Sequence, residues 1–247
     1  MKKRVWITGA SSGIGKAVAM AMANRGYELI ISGRNQGVLD EITRQTGALS
    51  VAFDIRDRNS NLKAADLIKE KFGYLDIVFL NAGTCEYVDV TDFKSDIFED
   101  MLKTNFLSMV YAIEASLPLL RASRNAQIVG MSSSVAFVGL PRAEAYGASK
   151  AAIRNFLQSL RIDLAKENIS VSIVCPGFIK TPLTDKNDFP MPFLISSEAA
   201  AETIINGIEK KKLEIITPRL FVTLMKILSF LPNQLSTYLL KKVTNRQ

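Results

Sequence analysis

Tyr146 and Lys150 stand four positions apart in the stretch AYGASKAAI (145–153), which reads as helix. Positions i and i+4 of a helix share a face, so the ammonium can lie beside the phenol. The pairing matters because the chain contains no histidine, and histidine is the only side chain whose unperturbed pKa falls in the physiological range. A phenol, with an ordinary pKa of about 10, exchanges protons at neutral pH only if something holds that value down. A neighbouring cation does so by favouring the phenolate. The pair is therefore expected to do acid–base chemistry, with Lys150 lowering the pKa of Tyr146.

A second set of residues has the chemistry to hold a phosphate. In TGASSGIG (8–15), Gly9, Gly13 and Gly15 punctuate a turn between an apolar run and a helical pattern. Glycine allows a tight turn and a close backbone approach, and the helix start offers unpaired N–H groups and the positive end of a dipole to a pyrophosphate. Ser11, Ser12 and Ile14 lie within the same turn and are expected to face the same ligand. A dinucleotide also needs a partner for its adenosine ribose at the end of the second strand. There the chain has Gly33 and Arg34 and no acid. Arginine suits a 2′-phosphate, which a carboxylate would repel, so NADP(H) is expected over NAD(H).

These groups need a frame. Seven short apolar runs, RVWIT (4–8), ELIIS (28–32), LSVAF (49–53), LDIVFL (75–80), QIVGMS (127–132), ISVSIV (169–174) and LEIIT (213–217), alternate with helical patterns. The helical patterns lie near 14–25, 35–46, 59–72, 95–122, 146–167 and 198–210. Most of the apolar runs are nearly continuous, as in strands buried on both faces. The order predicts an α/β fold, a doubly wound parallel sheet of about seven strands with helices on both faces. No linker or repeat divides the chain, so 1–247 is read as a single domain, with its core over 1–217 and an extension over 218–247. The stretch 177–197 holds three prolines and is expected to be a functional loop.

Of the 247 residues 48% are hydrophobic, enough for a substantial core. The net charge of +7 is concentrated at one end. Residues 1–209 balance, whereas 210–247 carry Lys210, Lys211, Lys212, Arg219, Lys226, Lys241, Lys242 and Arg246 against Glu214 alone. That distribution argues for a specialised tail and against a nucleic-acid surface. Cys85 and Cys175 lack metal-ligand spacing, so no metal site is expected and a reducing compartment is implied. The basic–apolar start MKKRVWITGA has too short an apolar run for an export signal, so a cytoplasmic location is expected.

With these motifs in order, the sequence resembles the short-chain dehydrogenase/reductase family over roughly residues 4–217. TGASSGIG matches the family's cofactor turn, Asp54 and Ile55 the adenine contacts, and Asn81, Ala82 and Gly83 the end of the fourth strand beside the cofactor. PGFIKT matches the segment that clamps the nicotinamide, carrying Pro176, Gly177, Ile179 and Thr181. Asn105 in KTNFLS matches the family's catalytic asparagine. The SSS at 132–134 with YGASK at 146–150 matches its serine and Tyr-x-x-x-Lys. The family's serine precedes the tyrosine by 13 positions, which selects Ser133; Ser132 and Ser134 need a register shift. The resemblance implies a Rossmann-type fold, an oxidoreductase acting on a carbonyl/alcohol pair, and a homo-oligomer, dimer or tetramer. It implies that Tyr146 passes the proton while the cofactor passes hydride. Lys150 would bond the nicotinamide ribose, Ser133 orient the substrate oxygen and Asn105 support a water chain. A cofactor-binding protein retired from catalysis is the alternative. Leu80 stands where many members have a second asparagine, and the last strand lacks the glycine-rich ending of the fatty-acid-synthesis reductases.

The segment RLFVTLMKILSFLPNQLSTYLLKKV (219–243) extends past that resemblance. Thr223, Lys226 and Ser229 form a narrow polar stripe on an otherwise apolar helical pattern that Pro232 interrupts, too short to span a membrane. Two readings stand: helices packed on the domain or a second subunit beside the substrate mouth, or a peripheral contact with the inner membrane surface. Phe189, Met191 and Phe193 in the long loop, with this apolar tail, point to a hydrophobic substrate.

Overall fold

The computed structural model describes residues 2–244, with side chains to residue 242. The main elements run β1 (Arg4–Thr8), α1 (Gly13–Asn24), β2 (Glu28–Gly33), α2 (Gln36–Thr46), β3 (Leu49–Ala52), α3 (Arg58–Phe72), β4 (Ile77–Leu80), α4 (Ser95–Met101), α5 (Ser108–Arg121), β5 (Gln127–Met131) and α6 (Glu144–Leu164). There follow β6 (Ser170–Pro176), β7 (Ile179–Lys180), β8 (Ile195–Ser196), α7 (Ser197–Glu209), β9 (Glu214–Thr217), α8 (Arg219–Ser229) and α9 (Asn233–Thr244). Seven strands form one parallel sheet in the order β3-β2-β1-β4-β5-β6-β9. The order reverses between β1 and β4, which opens a crevice beyond the carboxyl ends of the strands.

Burial on both faces explains the continuous apolar runs. In β1, Val5 and Ile7 enter the layer formed with α1, α2 and α7, while Trp6 enters the opposite layer with α3, α5 and α6. The indole of Trp6 is buried and donates to Ser32 Oγ at 2.8 Å, so its one polar atom is satisfied. Three features depart from the expected elements. The helical pattern at 95–122 is two helices joined by a π-helical turn over Leu102–Leu107, with Asn105 inside it. The loop 177–197 contains the two short strands β7 and β8, paired in parallel. In α8 the polar stripe does not face solvent as a unit. Lys226 turns inward to Glu214, Val222 and Met225 are buried, and Leu220, Leu224 and Ile227 face outward.

Gly207 shows how tightly α7 sits on the edge of the sheet. A Cβ there would lie 2.6 Å from Ile215 Cγ1 and 2.7 Å from its Cδ1. An alanine in a helix interior normally gains about 1 kcal/mol over glycine. Here the clash reverses the sign, and Gly207→Ala is expected to lower the unfolding free energy by about 1–2 kcal/mol, read from urea denaturation.

Candidate active site

The crevice at the strand ends has a volume of about 420 Å³. One end is built by the glycine turn between β1 and α1. Gly9 and Gly13 adopt φ +65° and +51°, which side-chain-bearing residues rarely do, and a Cβ on Gly9 would come within 2.7 Å of Ala82 Cα. Cross-links to the end of β4 pin this turn. Thr8 Oγ1 accepts from the Asn81 and Ala82 amides at 3.1 and 3.2 Å, while Asn81 Nδ2 donates to the Thr8 and Gly9 carbonyls at 3.2 and 3.1 Å. Ser12 is the N-cap residue of α1, and its side chain makes no capping hydrogen bond. The first N–H groups of that helix are thus left for an anion.

Beside this turn, at the ends of β2 and β3, Gly33, Arg34, Asp54, Ile55 and Arg56 line the cleft. Arg56 embraces Asp54, donating from Nε to both carboxylate oxygens at 3.1 and 3.0 Å and from Nη2 at 2.7 Å. That bonding holds the Asp54 carboxyl below its ordinary range, against the opposing effect of burial. Arg56 was not anticipated from the sequence, although its place two residues after Asp54 in FDIRDR put it within reach.

Tyr146 and Lys150 line the cleft toward its other end, where α6 packs on β5. The Lys150 ammonium lies over the Tyr146 ring, 5.7 Å from its centroid, and donates to the Met131 carbonyl at 3.0 Å. Of the three serines, Ser132 is occupied as a donor to the Lys150 carbonyl at 2.9 Å, and Ser134 sits in a 3₁₀ turn. Ser133 is the one that acts on the Tyr146 phenol, opposing the rise in its pKa, and its Oγ accepts from the Val135 amide at 3.3 Å. Asn105 is fully buried, accepting from the Thr84 amide at 2.8 Å and donating to the Thr84 carbonyl at 3.0 Å and to Ser149 Oγ at 2.9 Å. It therefore ties the loop after β4 to α6 from behind the cleft.

The remaining predicted residues divide in two. Gly9, Ser11, Ser12, Gly13, Ile14, Arg34, Asp54, Ile55, Asn81, Ala82, Gly83, Pro176 and Thr181 line the cleft with the central pair. Asn105, Ser133, Gly15, Gly177 and Ile179 stand behind its surface. A Cβ on Gly15 would lie 2.2 Å from the Gly9 carbonyl oxygen, so Gly15 serves the packing of α1 under the turn. Gly177 is covered by Phe221, and Ile179 is buried.

The expected lowering of the Tyr146 pKa is not what the structure gives. Burial pushes the phenol above its ordinary value, with the Cys85 thiol adding to the rise and Ser133 opposing it. The ammonium sits over the ring and against a carbonyl, and burial pulls its own pKa down to about 8. The unfolded chain binds this proton up to the usual lysine range, so folding carries a cost below pH 8 that is relieved as pH rises from about 8 to about 10.5. Lys150→Met should consequently raise stability near pH 7, by on the order of 1 kcal/mol. It should also abolish that rise, as measured by denaturation across the same pH range.

Comparison with known proteins places this geometry. The family described as short chain dehydrogenase matches residues 3–190. An uncharacterized oxidoreductase of Myxococcus xanthus is 31% identical over 234 residues, covering 93% of this chain and 92% of that protein. Among solved structures, a short chain dehydrogenase/reductase from Burkholderia phymatum in complex with NAD superposes with a TM-score of 0.83 at 22% identity, covering 91% of this chain and 92% of that one. An alcohol dehydrogenase from the archaeon Thermococcus sibiricus, complexed with 5-hydroxy-NADP, gives 0.78 at 23% identity, covering 87% and 96%. The seven-stranded sheet, the glycine turn at its first crossover and the matched 188 residues leave one assignment: the chain belongs to the short-chain dehydrogenase family of oxidoreductases.

Proposed function

We propose that this oxidoreductase uses NADP(H) to interconvert a small apolar carbonyl compound and its alcohol, with Tyr146 as general acid and base. The carrying observation is that Tyr146 and Lys150, with Ser133 acting on the phenol from behind, line a cleft whose far end presents Arg34 and no opposing acid from β2. The residues fit a dinucleotide. Gly9 and Gly13 hold the turn at positive φ, the uncapped start of α1 suits a pyrophosphate, and Arg34 suits a 2′-phosphate. Asp54, its carboxylate steadied by Arg56, and Ile55 would hold the adenine end.

When bound, the nicotinamide supplies or accepts the hydride. Everything else falls to the chain. A phenol kept protonated by burial is ready to act as an acid, which favours reduction: Tyr146 gives its proton to the carbonyl oxygen as negative charge gathers there. The Ser133 hydroxyl, which acts on the phenol, orients that oxygen. Lys150, protonated below pH 8 and lying over the ring, lowers the cost of the phenolate left behind. Asn105 acts at one remove, holding α6 and the loop after β4 in register through Ser149 and Thr84.

The apolar substrate is supported by an aromatic row. Tyr87 packs edge-on against Phe189 at 5.7 Å, Phe189 meets Phe178 at 6.1 Å, and Phe178 meets Phe221 of α8 at 5.1 Å. The thiols of Cys85 and Cys175 are free, which supports a reducing cytoplasm.

Fluorescence titration with NADPH and NADH tests the cofactor reading. NADPH should bind more tightly, and Arg34→Asp should weaken it by about 10- to 100-fold while changing NADH little. Tighter binding of NADH by the native chain would contradict the reading. Tyr146→Phe should leave NADPH affinity within about twofold and cut turnover of an apolar ketone by about 10²- to 10⁴-fold, measured by NADPH absorbance.

A further inference from the structure

Helix α8 is amphipathic in an unexpected sense, with its strongest apolar stripe on the outside. Val222 and Met225 are buried, Phe221 packs on Gly177, and Lys226 is drawn inward to Glu214. Leu220, Leu224 and Ile227, spaced as one helical face, are 59%, 49% and 56% exposed, and Phe230 just beyond them is 84% exposed. Helix α9 continues the pattern with Leu235 and Tyr238, at 44% and 60%. Among the described residues, no other part of the chain presents so dense a run of exposed large apolar side chains.

The charge around this face selects its occupant. The entire excess of +7 lies in residues 210–247, and the segment's single acid, Glu214, is already engaged by Lys226 and Arg154. A second copy of the chain meeting this face about a twofold axis would bring two such basic segments together. An anionic lipid surface answers both features at once, taking the apolar side chains into its interface and the lysines and arginines against its headgroups. Neither helix can go further: they are 11 and 12 residues long, and no helix among the described residues is long and apolar enough to cross a membrane.

We infer that α8 and α9 form a docking face for an anionic phospholipid surface, lying in its plane. The face is also mechanically joined to the site. Phe221, on the inner side of α8, packs against Gly177 after β6 and closes the aromatic row that begins at Tyr87. Docking through the outer side therefore brings the Phe221 end of that aromatic row next to the lipid interface. The docking rests on α8 and α9 alone; the entry of a lipid-soluble substrate by this route rests on the reductase reading.

Flotation of the full chain with vesicles of equal phosphatidylglycerol and phosphatidylcholine, against phosphatidylcholine alone, tests it. The native chain should float with the anionic vesicles, with partitioning onto neutral ones weaker by about tenfold or more. Leu224→Ser/Ile227→Ser/Phe230→Ser, all at exposed positions, should lose the binding by about tenfold or more at an unchanged melting temperature. Lys241→Glu/Lys242→Glu should lose it selectively on anionic vesicles. The inference is overturned if the native chain stays in solution, if it floats equally with both vesicles, or if the serine variant floats as well as the native chain. It is equally overturned if light scattering shows the serine substitutions converting a dimer to a monomer, since the face would then be a subunit interface. NADPH binding and the Tyr146→Phe loss of turnover are measured without lipid, so either result leaves the reductase reading to stand or fall separately.

Discussion

An ammonium group only 3% exposed is the constraint on which this molecule turns. Burying Lys150 is tolerable only while its nitrogen keeps the Met131 carbonyl, at 3.0 Å. That contact demands that α6 lie close on β5 at a fixed height. Gly130 permits the approach, because a Cβ there would meet Leu157 Cδ1 at 2.3 Å. Gly83 permits it from the other side, where a Cβ would lie 3.0 Å from Asn105 Oδ1 and 3.4 Å from the lysine nitrogen. Ser132 adds a further tie, donating to the Lys150 carbonyl. The packing of α6, the π-helical turn that presents Asn105 and the loop after β4 all follow from giving one cation a place to sit.

Once that place is fixed, the rest of the site falls along the reversal in strand order. The turn at Gly9 hangs from Thr8 and is stitched to Asn81 at the end of β4, so the phosphate-binding end and the acid–base end share a backbone frame. The cleft runs between positive features: the start of α1 and Arg34 toward one end, Lys150 at the other. Such a field suits a ligand with several negative charges along its length and one reactive centre at its tip. A row of aromatic rings from Tyr87 through Phe189 and Phe178 ends on the C-terminal extension at Phe221.

Much of this was legible in the sequence, for physical reasons that can be named. Strands buried on both faces leave continuous apolar runs, and all seven sheet strands lie within a few residues of where those runs placed them. The glycine turn and the Tyr–Lys spacing were legible because each depends on local geometry. What was not legible depends on distant partners. The π-helical turn at Leu102–Leu107 has no signature in an apolar periodicity that continues across it. Lys226 reads as one member of a narrow polar stripe, and its tie to Glu214, twelve residues earlier on β9, needs the folded sheet edge. The Tyr146 phenol was expected to be depressed by its neighbour, but burial dominates, and burial is a property of the folded surroundings. Arg56 went unread because its partnership with Asp54 needs the turn after β3.

The proposed reaction passes hydride between a nicotinamide held in this cleft and the carbon of an apolar carbonyl compound. The most direct test is to incubate the native chain with an apolar ketone and NADPH deuterated at the transferable position of C4, then analyse the alcohol by mass spectrometry. The account predicts one deuterium, bound to the carbinol carbon. An alcohol without the label, or no alcohol from any apolar ketone despite tight NADPH binding, would contradict it.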